Sequence, residues 1–321
     1  MNILITGVAG FVGTNLAKAM LRRGGRISGI DNLRLGSTRN LDPVSTHPDF
    51  GFEIADLSDI EAYRRALGRL QSRNRIDEVW HLAASSDIPA GVADPAVDLR
   101  DTFMTTFNTL ALMKEFGIGT IAFASSSAVY GDLGDRSLAE DSGPLFPISN
   151  YGAMKLASEA VISAGLESHL ERAFIFRFPN VIGTPATHGV ILDFVRKLKV
   201  NAAKLEVLGD GSQRKSYLHV DDLVDALLFI RAHAGDRLNY HNVGPSDEGV
   251  TVRFIAEQVV QRVAPGAGMT FGRGNQGWVG DVPAFSYATG KLSRLGWRPK
   301  LDSAQAVRRA VDEIVAQESR G

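Results

Sequence analysis

The sequence predicts an α/β protein: a doubly wound parallel sheet followed by a smaller, mostly α domain. Three observations predict it. Short apolar runs alternate with amphipathic stretches through the first half of the chain, the rhythm of βαβ units. A glycine trio stands between the first apolar run and the first amphipathic stretch. Glycine supplies 33 of 321 residues, above the usual share of about 7%, as many tight strand-to-helix turns require.

The elements follow in order. Residues 2–6 read as a buried strand and 11–23 as a helix. Strands are expected at 26–30 and 51–55, then a helix at 58–70 and a strand at 77–82. A helix over 95–115, a strand at 119–125, a helix at 149–165 and a strand at 172–177 complete the series. A ligand belongs at the carboxyl ends of such strands. Gly7, Asp31, Asp56, Ala83, Ser126 and Asn180 all follow strands directly. From residue 179 the rhythm breaks, punctuated by Pro179, Gly183, Pro185, Gly189, Gly209 and Gly211. A helix at 220–232 reads as a return to the first domain, and 251–263 and 303–317 read as helices of the tail. The expected division is 1–178 for the first domain, with a return segment at about 212–245, and 179–321 for a discontinuous substrate domain.

Composition narrows the function. With 44% apolar residues the chain can bury a sizeable core. Net charge is −1 and the Lys and Arg residues are dispersed, so neither a nucleic-acid nor an anionic-membrane surface is expected. There are no cysteines, which excludes disulfides, thiolate catalysis and Cys-ligated metals. The seven histidines form no His-x-x-x-His pattern, so no metal site is expected. The N-terminus enters a strand at once, and no apolar run reaches the length of about 18 residues that suggests a span. A cytoplasmic enzyme is the expectation.

Gly7-Val-Ala-Gly10-Phe-Val-Gly13 follows the first strand and opens the first helix. The first glycine allows the sharp turn, the second lets backbone approach a pyrophosphate, and the third permits close helix–strand packing. The N–H groups of Phe11, Val12 and Gly13 then face the phosphates. This is a Rossmann-type signature. Asp31 ends the second strand 18 residues after Gly13. A carboxylate there accepts hydrogen bonds from ribose hydroxyls and repels a 2′-phosphate, which favours NAD; a plain turn or capping role is the alternative. Arg34 and Arg39 leave room for NADP. Asp56 and Leu57 are placed to meet adenine, or Asp56 to cap the following helix.

Tyr151 and Lys155 stand four apart, on one face of a helix. A phenol beside an ammonium is expected to ionise below its free pKa of about 10. Tyr151 is thus a candidate base for an alcohol proton.

With these residues in place, the chain resembles the extended short-chain dehydrogenase/reductase family over nearly its whole length. The resemblance rests on Thr6-Gly-Val-Ala-Gly-Phe-Val-Gly13, His81-Leu-Ala-Ala84, Ser125-Ser-Ser-Ala-Val-Tyr-Gly131 and Tyr151-Gly-Ala-Met-Lys155. Arg177-Phe-Pro-Asn-Val-Ile-Gly183, Gly209-Asp-Gly-Ser-Gln213 and His219-Val-Asp-Asp222 add to it. Within the family it looks most like nucleotide-sugar 4-epimerases of the UDP-galactose 4-epimerase type. Thr187-His-Gly-Val-Ile191, Lys215-Ser-Tyr217 and Gly277-Trp-Val-Gly-Asp-Val282 resemble a branch common in archaea and some bacteria.

The resemblance implies the roles. The catalytic Ser falls five before Gly131, at Ser126, 25 residues from Tyr151; Ser125 and Ser127 are the alternatives. Tyr151 would take the proton of the sugar 4-hydroxyl as the C4 hydrogen leaves for NAD, and the hydride would return to the other face of the 4-keto sugar. Lys155 would lower the tyrosine pKa and hold the nicotinamide ribose. Further cofactor contacts are implied for Asn32, Leu82, Ala83, Ala84 and Pro179. Substrate contacts are implied for Asn180, His188, Gly189, Val190, Val207, Lys215, Trp278 and Asp281. A turn role for Asn180 and a core role for Val207 are alternatives, with Leu208 beside it. Many relatives grip the diphosphate with two arginines where Lys215 and Trp278 stand; Arg214 or Arg273 could compensate. Thr102 stands where relatives often carry an Asn. Sugar 4,6-dehydratases carry Asp-Glu after the catalytic Thr, where this chain has Ser127 and Ala128. A UDP-hexose 4-epimerase is therefore expected. The alternatives are an epimerase of uronic or N-acetylated sugars, an NADH-releasing dehydrogenase or reductase, and a silent cofactor-binding protein. The helices near 95–115 and 149–165 are the implied homodimer face.

Overall fold

The computed structural model describes residues 1–134, 136–274 and 287–320. Strand β1 (Asn2–Thr6) is buried along its whole length, as a strand covered on both faces must be. Helix α1 (Phe11–Arg22) follows and turns its Leu16, Ala17, Met20 and Leu21 side inward. Then come β2 (Arg26–Asp31), the short α2 (Thr38–Leu41), β3 (Phe50–Ile54), α3 (Ile60–Arg73) and β4 (Glu78–His81). Helices α4 (Ile88–Ala93) and α5 (Pro95–Asp98) lead through a π turn, Leu99–Met104, into α6 (Thr105–Phe116). Strand β5 (Thr120–Ser126), helix α7 (Asn150–Gly165) and β6 (Arg172–Phe178) complete the series.

The seven-stranded sheet has the order Leu238–Asn242, β6, β5, β4, β1, β2, β3. The pairs β1–β2, β1–β4, β2–β3 and β4–β5 are parallel, with Thr6 opposite His81 and His81 opposite Phe123. The doubly wound α/β architecture is as expected. Its core includes Leu4, Ile30, Tyr63, Leu67, Val79 and Phe123. On β4 and β6, Trp80 and Phe176 stack with ring centroids 5.8 Å apart.

The helix expected over 95–115 is interrupted. Asp94 caps α5 by accepting from Ala96 N at 3.0 Å, and the π turn adds a residue to the winding before α6 resumes. The Thr102 carbonyl there accepts from both Thr105 and Thr106 hydroxyls at 3.0 Å. Gly117, with φ of 66°, ends α6 in the left-handed conformation.

Two compact units result: Met1–Gly131, Pro144–Arg177 and Ile230–His241 form the first; Asp132–Gly143, Phe178–Phe229 and Asn242–Gly321 form the second. The segment returning to the first unit is shorter than the expected 212–245, and 132–143 cluster with the second unit instead of the first. In the second unit, helices Val190–Val200, Val252–Val263 and Ser303–Arg320 share a core that includes Phe194, Leu205, Ile255 and Val307. Strands Lys204–Val207 and Gly268–Phe271 pair in parallel. Their alternation, with Lys204 and Glu206 out and Leu205 and Val207 in, is the period of a half-buried strand. Among the described residues no helix is long and apolar enough to cross a membrane.

Candidate active site

At the carboxyl end of β1 the glycines make a close cradle. An added Cβ at Gly13 would lie 2.2 Å from the Gly7 carbonyl oxygen, and one at Gly7 would lie 2.9 Å from Ala83 N. Gly7 also has φ of 71°, a conformation costly for side chains. Gly10 is the N-cap of α1, with no side-chain cap and no acidic residue in the first turn. The helix start is therefore left for an anion from outside the chain. Leu82 and Ala83 enter the cradle on backbone bonds to Thr6: Leu82 N donates to the Thr6 hydroxyl at 3.2 Å and Ala83 N at 3.4 Å. Ala84 is half-buried beside them.

Asp31 is buried at the end of β2. Its carboxylate accepts from Ala9 N at 3.0 Å and Leu33 N at 2.8 Å. Burial raises its pKa, opposed by these backbone donors. It braces the glycine turn rather than capping a helix. Asn32 is exposed, and its side-chain oxygen accepts from Arg34 N at 3.0 Å. Arg34 pairs with Asp101 at 2.5 Å and Asp56 at 3.2 Å. Asp56 does not cap α3. It accepts from the Ser58 backbone at 2.9 Å, and Asp59 is the cap. Leu57 is 3% exposed and belongs to the core. Thr102 is buried, its hydroxyl accepting from Ser85 N at 3.2 Å.

The three chemical side chains converge on the end of β5. Ser126 is the last residue of that strand, and its hydroxyl accepts from Ala128 N at 3.2 Å. Its side chain lies close enough to the Tyr151 phenol to favour the ionised form. Ser125 is buried and donates to Glu159, which separates it from Ser126. Lys155 is 2% exposed, donates to the Ala124 carbonyl at 2.6 Å, and lies 5.7 Å from the Tyr151 ring centroid. One glycine permits this approach: a Cβ at Gly152 would lie 2.4 Å from the Ala128 carbonyl oxygen.

Electrostatics depart from the expected depressed tyrosine. Burial pushes the Tyr151 phenol up to about 12; Ser126 lowers it and Asp98 adds to the rise. Burial lowers Lys155 to about 7, opposed by Glu159 and Asp98. Desolvation is thus the largest influence on both groups, disfavouring the phenolate and the ammonium alike.

Sequence reasoning missed the support behind this cluster. Glu159 lies four residues beyond Lys155 on α7, an i, i+4 spacing legible in retrospect. It accepts from Arg177 at 2.6 Å, and Arg177 also donates to the Tyr130 hydroxyl at 3.0 Å. Removing one partner of such a buried pair costs about 3–5 kcal/mol. His81, also buried, contacts Thr6 at 2.8 Å and Thr106 at 3.1 Å. Burial, with a contribution from Lys155, lowers it to about 3, so it is neutral.

The family model described as "NAD dependent epimerase/dehydratase family" matches residues 3–244. The chain belongs to this family. The crystal structure of a UDP-galactose 4-epimerase is 33% identical with a TM-score of 0.85, covering 99% of each chain. The UDP-glucose 4-epimerase of Azospirillum brasilense is 27% identical over 98% of this chain and 94% of its own. The dTDP-glucose 4,6-dehydratase of Streptomyces griseus is 29% identical over 76% of this chain and 73% of its own. The family is NAD-dependent, and the uncapped helix start and glycine cradle fit a dinucleotide's pyrophosphate.

Pro179, read as a cofactor contact, and the described residues among the remaining substrate-contact candidates lie in the second unit. Pro179 is buried, while Asn180 and His188 are exposed. Gly189, with φ of 111°, caps the helix that Val190 begins. Val207 is 3% exposed in the core, as the strand's alternation dictates, whereas Leu208 is 64% exposed. Lys215 pairs through backbone with Val250. Arg214 donates to the Gly249 carbonyl at 3.1 Å, and Arg273 is exposed. Trp278 and Asp281 lie outside the described residues.

Proposed function

We propose that the protein is an NAD-dependent 4-epimerase of a nucleotide-diphosphate hexose, with UDP-glucose and UDP-galactose as the leading pair. The observation that carries this reading is the Ser126–Tyr151–Lys155 cluster with Ser127 and Ala128 beside it. The cluster suits proton transfer at a hydroxyl, while Ser127 and Ala128 supply no carboxyl pair for the loss of water. When bound, NAD supplies a positively charged ring that accepts and returns hydride.

Tyr151 takes the proton from the sugar 4-hydroxyl and gives it back. Ser126 holds the reacting oxygen and favours the phenolate by hydrogen bonding. Lys155 provides the compensating positive charge and a ribose contact. Asp31 is proposed to meet the adenosine ribose, with the Gly7–Gly13 turn holding the pyrophosphate. In the second unit, Asn180 and Lys215 are the proposed diphosphate anchors, with Lys215 acting as a point charge rather than a bidentate fork. That substitution supports a second reading, an epimerase of a uronic acid or N-acetylated sugar on the same chemistry. A homodimer and a cytoplasmic location are part of the proposal.

The test is proton NMR of the purified enzyme with UDP-glucose, UDP-N-acetylglucosamine and UDP-glucuronate in separate tubes. A growing anomeric signal of the 4-epimer, without an absorbance rise at the NADH band, is the expected result with UDP-glucose. Conversion of another sugar would move the assignment to the second reading. Net NADH release would replace epimerase by dehydrogenase.

A further inference from the structure

We propose that Asp98 tunes the Tyr151–Lys155 pair: its buried carboxylate favours the ammonium on Lys155 and the proton on Tyr151. Asp98 closes α5 and is 1% exposed, and neither carboxylate oxygen has a hydrogen-bond partner. Burying a carboxylate without donors is costly, so the fold retains an expensive group here. It also makes room for it. A Cβ at Gly91 would lie 1.8 Å from one carboxylate oxygen and 2.7 Å from its carbon. Gly91 is on α4, which is tied to α7 by Asn150 donating to the Gly91 carbonyl at 2.9 Å.

The charged and titratable groups around Asp98 are few. Helix α7 contributes Tyr151 and Lys155, the start of α4 contributes Asp87, and the π turn contributes Asp101. Asp101 is engaged by Arg34 and Arg100. Asp87 caps α4 by accepting from Ala90 N at 3.1 Å. Asp98 has no such engagement, and its charge acts on α7. Burial, then Asp101 and Asp87, raise its carboxyl to about 6, with Lys155 opposing. It therefore changes charge close to neutrality. Its negative charge raises both Lys155 and Tyr151. Neutralising it makes the phenol easier to ionise and the ammonium easier to discharge.

The test has two arms, and only the kinetic arm rests on the proposed role of Tyr151. In Asp98→Asn, NMR titration of the Lys155 side-chain carbon is expected to move to a lower midpoint than in the wild-type protein. With UDP-glucose, or whichever sugar the NMR screen identifies, the acid limb of kcat/KM is expected to shift to lower pH. The ratio of kcat/KM on the acid side to that on the alkaline side rises several-fold. A purely structural role would lower activity without moving either midpoint. Should Asp98→Asn fail to fold, Lys155→Met reads the same coupling from the other side: the Asp98 carboxyl carbon then titrates higher than in wild type. An unmoved Lys155 midpoint in Asp98→Asn, or an unmoved Asp98 midpoint in Lys155→Met, overturns the inference. If wild-type protein converts no nucleotide sugar, the functional reading falls while the titration arm still decides this one.

Discussion

Tyr151 sits where its proton is hard to remove, because burial disfavours the phenolate. Burial pushes the phenol up to about 12, so positive charge nearby has the most to gain. Tyr151→Phe keeps the ring and removes the proton acceptor. Its kcat is expected to fall by about 10²–10⁴-fold, with NAD affinity, measured by calorimetry, retained. Full activity would end the mechanism. Lys155 carries a different prediction. Its pKa falls from 10.5 unfolded to about 7 folded, so between these values the unfolded chain binds more protons and stability rises with pH. Below about 7 the buried ammonium costs its full penalty. Lys155→Met is therefore expected to resist urea better than wild type on the acid side of neutrality, with the gain shrinking as pH rises toward 10.5. A gain independent of pH would show that burial of charge is not the cause. Tyr151 and Lys155 could be read as a pair because spacing on a helix is local, whereas Ser126 came only from the resemblance. Asp98 was not legible: its meaning comes from Gly91 opposite it, and no periodicity links the two.

Helix α7 shows how one element carries the site. Its Tyr151, Lys155 and Glu159 recur every four residues and line one face, where Lys155 reaches the β5 carbonyl and Glu159 meets Arg177 of β6. Its N-terminal turn can approach Ser126 only because residue 152 lacks a side chain. Gly152→Ala places a Cβ 2.4 Å from a backbone oxygen, which no rotamer change relieves. The helix must shift, at a cost of about 1–3 kcal/mol, and Tyr151 should move away from Ser126 with it. The expected outcome is a loss of kcat larger than the change in KM, alongside a lower Tm. An unchanged kcat would mean that the helix position does not govern the chemistry. The βαβ order of these elements was readable because buried strands and amphipathic helices differ in period. The π turn over Leu99–Met104 was not, since its sequence carries an ordinary helical pattern and only the winding differs. The burial of Val207 and Leu57 was not readable for a related reason: a core residue beside a site looks the same in sequence as a residue facing it.

At the scale of the whole molecule, the proposed homodimer is the claim with the most consequence for stability. Leu99 and Phe107 are 49% and 50% exposed on the helical run that precedes β5. Phe103, half-buried, lies tilted beside Phe107 with ring centroids 6.3 Å apart. Large contiguous apolar patches on a surface mark interaction sites, and these side chains are the ones the proposed interface would cover. Full burial of one such side chain contributes about 1.5–3 kcal/mol, and in a two-fold interface every substitution counts twice. Phe107→Glu removes that contribution from both copies and adds a pair of like charges. Because the side chain is already half-buried, about half of that is at stake in each copy, and the dimer dissociation constant is expected to rise about ten- to a hundredfold before the charge repulsion is added, since each 1.4 kcal/mol is about tenfold. Light scattering after size exclusion should give twice the chain mass for wild type and the chain mass for Phe107→Glu at micromolar concentration. The far-ultraviolet spectrum should be unchanged, because an exposed side chain leaves the core intact. A wild-type monomer would remove the dimer altogether, and a Phe107→Glu dimer would place the interface on another face.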